Sequence, residues 1–284
     1  MAVSGGVDSM CLLYLLVQHS HDYELNVAHF DHGIRADSHL DKQLVEAAAG
    51  KYRLPFYSSQ GRLGENASEA DARRARYKFL FDVRDKTGSA AIITAHHLDD
   101  RLETLVINLI RGTGRKGLGS IAETKVIKRP LLNVSKQELR NFARQHKLSW
   151  REDTTNIDTR YLRNYIRQQL ADRLTGEDRS KLIEIMNRQA KLNQQIDREM
   201  RAFYGGRLNA ELSRKVLANL TYNESKELIA SWLRDNNLVN FDHKTIERIT
   251  VAAKTKKPGT KLDVYGRRQV VIDKEILALD ALER

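Results

Sequence analysis

Apolar positions in the first half of the chain fall into short unbroken runs, separated by longer stretches in which they return every three or four residues. Ala90-Ala91-Ile92-Ile93-Thr94-Ala95 is one such run, and it predicts a strand buried on both faces of a parallel sheet. Ala2-Val3, residues 23–30 and Leu54-Pro55-Phe56-Tyr57-Ser58 predict further strands. Between them lie helical stretches: Met10 to Val17, about Ser38 to Lys51, a segment opened by the Asn66/Glu69 capping pair and running to about Lys86, and one with Leu98, Leu102, Leu105 and Leu109 on a single face. This alternation predicts an α/β fold with a doubly wound, mainly parallel sheet. Ligands bind at the carboxyl ends of such strands, so the loops after strands one, two and four are expected to be neighbours.

The pattern changes in the second half. Ser135-Lys136-Gln137-Glu138 is a capping box opening a helix that ends near Lys147, and a helix from about Thr159 sets Arg163 and Arg167 one turn apart. The α/β region is read as residues 1–176, finishing near Leu174-Thr175-Gly176. Residues 177–284 are read as a small, mainly helical domain that ends in short strands. Its helices are expected from Glu177 to Phe203, with Leu182, Met186, Ile196, Met200 and Phe203 on the apolar side, then over Glu211–Leu220, Asn223–Asp235 and His243–Ala253. The strands are expected around Leu262-Asp263-Val264, Gln269 to Ile272 and Glu275-Ile276-Leu277.

Charge narrows the choice of partner. Lys and Arg number 48 against 37 Asp and Glu, a net +11, an excess that suits a polyanion, because each basic side chain set on a phosphate releases condensed counterions. The lone cysteine, Cys11, excludes a disulfide framework, a Cys-x-x-Cys redox pair and a cysteine zinc site. No run approaches the ~18 apolar residues of a membrane span and no leader-like segment precedes Ser4, so a cytoplasmic protein without membrane attachment is expected.

Ser4-Gly5-Gly6-Val7-Asp8-Ser9 carries the chemistry. A strand that breaks at two glycines and turns at once into a helix leaves the first helical N–H groups and the positive end of the dipole open to an anion. Ser4 and Ser9 can donate hydroxyl hydrogen bonds, the glycines allow close approach, and Asp8 can hold Mg²⁺ against phosphate oxygens. No lysine follows the glycines, which excludes the G-x-x-x-x-G-K-[ST] loop. Asp100 and Glu103 stand three apart at the start of a helix, where two carboxylates can receive an ammonium or take its proton. Arg76, Arg163 and Arg167 offer planar forks of donors. Arg73 and Arg74 read as a solvated helix face. His96 and His97 beside Asp99 are too crowded at a strand end to share one metal ion, and read as nucleotide-site, orienting or core residues. Arg111 to Gly119 reads as a basic glycine-rich loop without regular structure, able to close over a site or simply to connect.

The Ser4–Ser9 loop resembles the SGG-x-D-S loop of the ATP pyrophosphatases, or PP-loop superfamily. Together with Asp31-His32-Gly33-Ile34-Arg35, Ala72-Arg73-x-x-Arg76-Tyr77, Ala95-His96-His97-Leu98-Asp99-Asp100-x-x-Glu103-Thr104, Arg129-Pro130-Leu131-Leu132, Glu152-Asp153-x-x-Asn156 and Arg163-Asn164-x-x-Arg167, it occurs in the order and spacing found in bacterial tRNA(Ile)-lysidine synthetases. The resemblance covers residues 1 to about 170. Family members carry an N-terminal stretch that completes the first strand, whereas only Met1-Ala2-Val3 precede the loop here, and Thr155 stands where the family often has Ser.

The resemblance implies that ATP and Mg²⁺ adenylate the C2 oxygen of the wobble cytidine in tRNA(Ile) with anticodon CAU. The ε-amine of free L-lysine then displaces AMP, which changes codon reading from AUG to AUA. It implies roles for Asp8, Asp100, Glu103 and Arg76 in catalysis, with Asp8 on the metal. Ser4, Gly5, Gly6, Val7, Asp8, Ser9, His29, His96, Arg163 and Arg167 are implied in nucleotide or substrate binding, with His29 placed to meet the adenine ring. The smaller domain is implied to bind tRNA, and the sequence is compatible with a homodimer. Two alternatives stay open: another tRNA-modifying enzyme of the superfamily, such as a thiolase, for which paired cysteines are missing, and an inactive RNA-binding relative, against which Asp8, Asp100 and Glu103 all stand.

Overall fold

The structure is a computed structural model that describes residues 1–20, 23–33, 37–61, 69–152, 162–204, 208, 210–236, 238, 241–264 and 268–281. The expectations for Ile34-Arg35, Asn66, Asp153 to Asn156 and Thr159 lie outside the described residues. Contacts between Cα atoms divide the chain into two compact units, residues 1–107 with 120–183, and residues 108–119 with 184–284.

In the first unit, helix α1 (Val7–Gln18) follows the chain start directly, and β1 (Val27–Asp31), α2 (Ser38–Lys51) and β2 (Phe56–Gln60) come next. They are followed by α3 (Glu69–Thr87), β3 (Ile92–Ile93) and α4 (Leu98–Ile110), the last extending into the second unit. β1 and β2 are parallel, with Val27 opposite Phe56. After the short helical turn α5 (Arg115–Leu118) comes β4 (Ile127–Lys128), parallel to β3. Residues 1–3 join the two pairs: Ala2 N–H donates to Ile93 O at 2.8 Å and Val3 N–H to Ala28 O at 2.9 Å. Counting this segment as the first strand, the lateral order is 3-2-1-4-5, the doubly wound order whose switch point lies between strands one and four. β4 was not foreseen, because two residues inside Lys125-Val126-Ile127-Lys128 leave almost no periodic signal.

Successive strand residues point to opposite faces. Val27 joins Val7, Leu12 and Leu13 of α1, Val45 of α2 and Leu139 in one buried cluster, and Ala28 joins Leu80 of α3 and Ile92 in another. Leu139 belongs to α6 (Lys136–Gln145), whose capping box is formed as expected, with Ser135 accepting from Glu138 N–H. Helix α7 (Leu162–Arg173) follows, and α8 (Gly176–Phe203) begins in the first unit and runs into the second.

The second unit holds β5 (Glu211–Ser213), α9 (Arg214–Asn219), α10 (Tyr222–Asp235), α11 (His243–Thr255), β6 (Thr260–Val264), β7 (Arg268–Ile272) and β8 (Ile276–Ala281). The strands form an antiparallel sheet in the order β5-β8-β7-β6. Leu228, Ile229, Trp232 and Leu233 of α10 pack with Ile249 of α11 and with Val270, Ile272 and Leu277 of the sheet. The helix expected over Glu211–Leu220 starts only at Arg214, because Glu211-Leu212-Ser213 pairs with Ile276 to Ala278 and Ser213 then caps the helix. Phe203, expected on the apolar side of the long helix, is 71% exposed, while Met186 is buried. No described helix is long and apolar enough to cross a membrane.

Candidate active site

The loop Ser4–Ser9 is built by its own side chains. Ser9 Oγ donates to Gly6 O at 2.9 Å and accepts from Ser4 N–H at 3.2 Å, and Ser4 Oγ accepts from Gly6 N–H at 3.3 Å. The only hydroxyl hydrogen of the buried Ser9 is therefore used inside the loop; Ser4 is exposed. Gly5 has φ +92°, a backbone that residues with a Cβ rarely adopt. Gly6 is the N-cap of α1 and brings no side chain to its first turn, so the helix start keeps its unsatisfied N–H groups for an anion. Arg151 braces the loop from behind: its N–H donates to Gly5 O at 3.0 Å, its Nε to Asp41 Oδ1 at 2.8 Å and its Nη2 to Asp37 Oδ2 at 2.6 Å.

Asp8, in the first turn of α1, receives Lys136 Nζ on both carboxylate oxygens, at 2.8 and 2.7 Å. His97 connects this carboxylate to the acidic start of α4. Its Nε2 lies 3.7 Å from Asp8 Oδ2 and 3.5 Å from Asp100 Oδ2, and its Nδ1 lies 3.7 Å from Asp99 Oδ2. The loops after strands one and four thus meet at the switch point. Burial alone would raise the Asp100 carboxyl, but the His97 ring and the backbone N–H of His97, which donates to Oδ2 at 3.0 Å, together with His96 and Arg163, hold it below the usual carboxylate range. Asp99, despite burial, is likewise held low by Lys136 N–H and by Arg179, whose Nη1 donates to it at 2.7 Å. His96 pairs with Thr94 Oγ1 at 2.8 Å, and burial with the nearby Arg129, Arg76 and Arg73 pushes it down to about 4, so its imidazole is neutral near pH 7.

Glu103 does not stand as an open carboxylate beside Asp100. It is 1% exposed and is bound by two arginines, Arg167 Nε to Oε1 at 2.6 Å, Arg167 Nη2 to Oε2 at 3.1 Å and Arg163 Nε to Oε2 at 3.1 Å. Arg163 and Arg167, one helical turn apart, therefore converge on Glu103, and Arg167 Nη2 also lies 3.9 Å from Asp100 Oδ1. His29 is 3% exposed and lies beneath the surface rather than at a ring-sized opening: its Nδ1–H donates to Val3 O at 2.9 Å, one residue before the loop, and its Nε2 is buried without a hydrogen-bond partner. Arg76 is half-buried on α3, with its guanidinium 5.7 Å from the Tyr77 ring centre. Arg73 is exposed over the same ring and Arg74 pairs with Asp71, as solvated helix residues do.

Lys136, Arg151 and Arg179 were not foreseen in the site. One signal for Lys136 was present, since a cation in a first helical turn opposes the macrodipole and calls for a nearby anion. The stretch 111–119, read as irregular, contains α5, and Arg115 is held in the second unit by Glu227, Asn193 and Asp197.

A glycine cradle at an uncapped helix start, placed at the switch point of a 3-2-1-4-5 parallel sheet and faced by carboxylates, defines an ATP-binding domain of the phosphate-loop type. Residues 1–174 match the PP-loop domain family ATP_bind_3, and the chain belongs to that family. The chain is similar to a tRNA(Ile)-lysidine synthase of Exiguobacterium sibiricum, 42% identical over 174 residues covering 60% of this chain and 42% of that protein. It is also similar to one of Clostridium tetani, 34% identical over 210 residues covering 70% and 45%. The match thus spans less than half the length of these curated relatives. Among solved structures it shares its fold with a U34-tRNA thiolase of Methanococcus maripaludis, at TM-score 0.56 and 20% identity over 68% of this chain and 71% of that one.

Proposed function

We propose that the protein is a cytoplasmic tRNA(Ile)-lysidine synthetase, with residues 1–176 carrying the chemistry and residues 177–284 supplying affinity for tRNA(Ile) with a CAU anticodon. The observation that carries this is the link from Asp8 through His97 to Asp100, which joins an anion cradle and an acidic pocket into one site. The O2 of cytidine attacks the α-phosphate of ATP and pyrophosphate leaves; the ε-amine of L-lysine then attacks C2, loses a proton, and AMP leaves.

The residues fit both ATP and Mg²⁺. The first-turn amides of α1, with the exposed side chain of Ser4, would hold the leaving pyrophosphate, and Asp8 supplies the hard oxygen donors that Mg²⁺ prefers. Bound there, Mg²⁺ would neutralise charge on the phosphate oxygens. Asp100, kept ionised, attracts the lysine ammonium and is assigned as acceptor of its proton. Glu103 holds Arg163 and Arg167 in place instead of binding lysine itself, and the outward side of that pair is where the cytidine or its phosphate is assigned. Sulfur transfer is disfavoured by Cys11, which is buried, donates to Leu139 O at 3.3 Å, and whose thiol is pushed up to about 11 by burial and then by Asp8.

Incubating CAU-anticodon tRNA with the protein, ATP, Mg²⁺ and lysine should yield lysidine in nucleoside mass spectra, strictly dependent on lysine. Thiolated cytidine, or no modified base in the presence of bound tRNA, would replace this reading with one of its alternatives. A size-exclusion profile decides whether the protein acts as a homodimer.

A further inference from the structure

We infer that Lys136 is the phosphate-facing cation of the glycine loop, holding Asp8 in the nucleotide-free protein and passing to phosphate oxygens when Asp8 takes up a divalent cation. The inference rests on the ATP reading above and extends it to a residue outside the loop. The sequence lacks a lysine after its glycines, and the fold supplies one in space: Lys136 Nζ sits on both Asp8 oxygens from 128 residues away. Its backbone is fixed on three sides, by the Ser135–Glu138 capping box, by its own N–H on Asp99 Oδ2 at 2.8 Å, and by Arg179 on the other oxygen of Asp99.

Stability does not account for this placement. Lys136 is in the first turn of α6, where the dipole opposes a cation, and the pair is partly exposed, with side chains 32% and 22% accessible, so the bridge itself contributes little. A divalent cation on Asp8 claims the oxygens that the ammonium now occupies. The released amine then lies beside the uncapped start of α1, where the pyrophosphate oxygens would gather and a charge-assisted hydrogen bond becomes available.

The test is binding by the full chain, read by calorimetry with inorganic pyrophosphate and Mg²⁺, and by electron paramagnetic resonance with Mn²⁺ alone. Lys136→Met keeps the aliphatic stem and removes the charge. It should weaken Mg²⁺–pyrophosphate binding about 10-fold or more, yet tighten Mn²⁺ alone several-fold, because the competing ammonium is gone; Lys261→Met, on the exposed face of β6, should change neither. Equal pyrophosphate affinity in wild type and Lys136→Met would overturn the inference. If Lys136→Met does not fold, Asp8→Asn provides the converse: with its partner neutral, Lys136 is released, and metal-free pyrophosphate should bind more tightly than to wild type; no gain there refutes the hand-over. Failure of the wild-type protein to bind either pyrophosphate or ATP would instead remove the ATP reading itself.

Discussion

Residues 4–9 and 111–119 are both glycine-rich, both carry a glycine at positive φ, and both run into a helical turn whose N-cap glycine gives no side-chain cap. They are nonetheless opposites. The first opens onto a twelve-residue helix and is stiffened by its own serines, which take the Ser4 and Gly6 amides and leave the first-turn amides of the helix uncapped. The second opens onto a four-residue turn and is pinned by side chains: Arg115 to Glu227 and Asp197 at 2.8 Å each, Lys116 to Asp197 at 2.7 Å, and Asn108 Nδ2 to Gly117 O at 2.9 Å. Glycine content alone therefore does not mark an anion site; what matters is whether the helix behind it is long enough to carry a dipole and whether side chains have already claimed the loop.

The largest separation between the two loops should appear in turnover. Asp8→Ala is expected to lower adenylation by about 1,000-fold or more, through loss of the metal ligand, with an unchanged denaturation midpoint. Single-turnover release of pyrophosphate measures this, and near-normal release would place the metal elsewhere.

Acid should separate the units next. His96 is neutral in the fold but takes a proton in the unfolded chain below pH 6.5, so stability of the first unit falls as pH drops from 6.5 to about 4, by up to about 3 kcal/mol. Asp197, which Lys116 and Arg115 hold low against its burial, is shifted in the same direction, but for a carboxyl that shift stabilises the fold: its contribution is complete above 3.8 and is lost only below it. Hydrogen exchange at pH 5 should thus show the first unit loosened and the second not. His96→Gln should flatten the first dependence; an unaltered slope would mean that another group carries it.

Arg115→Ala removes a guanidinium that is 13% exposed from between two carboxylates, and is expected to cost the second unit about 2–3 kcal/mol. Pyrophosphate affinity should be untouched. A variant of full stability but weakened pyrophosphate binding would show that this stretch does close over the site.

Gly5→Ala is the mildest. Its new Cβ would meet only ordinary contacts, the nearest Asp41 Cβ at 3.5 Å, so the effect is the strain of φ +92°, about 1–2 kcal/mol. At Gly117 the obstacle is steric, with Thr113 Oγ1 only 1.9 Å from an added Cβ. Urea midpoints for Gly5→Ala and Gly117→Ala, the latter with and without Thr113→Gly, which removes the Thr113 Cβ 2.8 Å from the new one as well as its Oγ1, distinguish the causes: only the second should be rescued.

The α/β alternation, the Ser135–Glu138 capping box and the Ser4–Ser9 loop were legible because each rests on residues close in sequence. β4 and β5 were not, being too short for their periodicity to be read and existing only through their partners Ile92–Ile93 and Ile276–Ala278. The same limit governed the site. Asp8, Asp100 and Glu103 could be chosen by residue type, but not that Glu103 would be claimed by Arg163 and Arg167, or Asp8 by Lys136, since such pairings span 60 to 128 residues and are fixed by how helices dock on the sheet. The orientation of His29 was hidden for a similar reason: strand alternation gives two faces, and its hydrogen bond to Val3 settles which way the ring turns.

The burial of Cys11 has a use beyond the chemistry. With its thiol pushed up to about 11, only on the order of one molecule in ten thousand carries a thiolate there near pH 7. Maleimide and spin-label reagents should pass it by, so a cysteine introduced at an exposed position such as Lys256 or Lys78 becomes a unique attachment point. Two such positions, one in each unit, would give a doubly labelled protein for distance measurements during turnover without first removing a native residue.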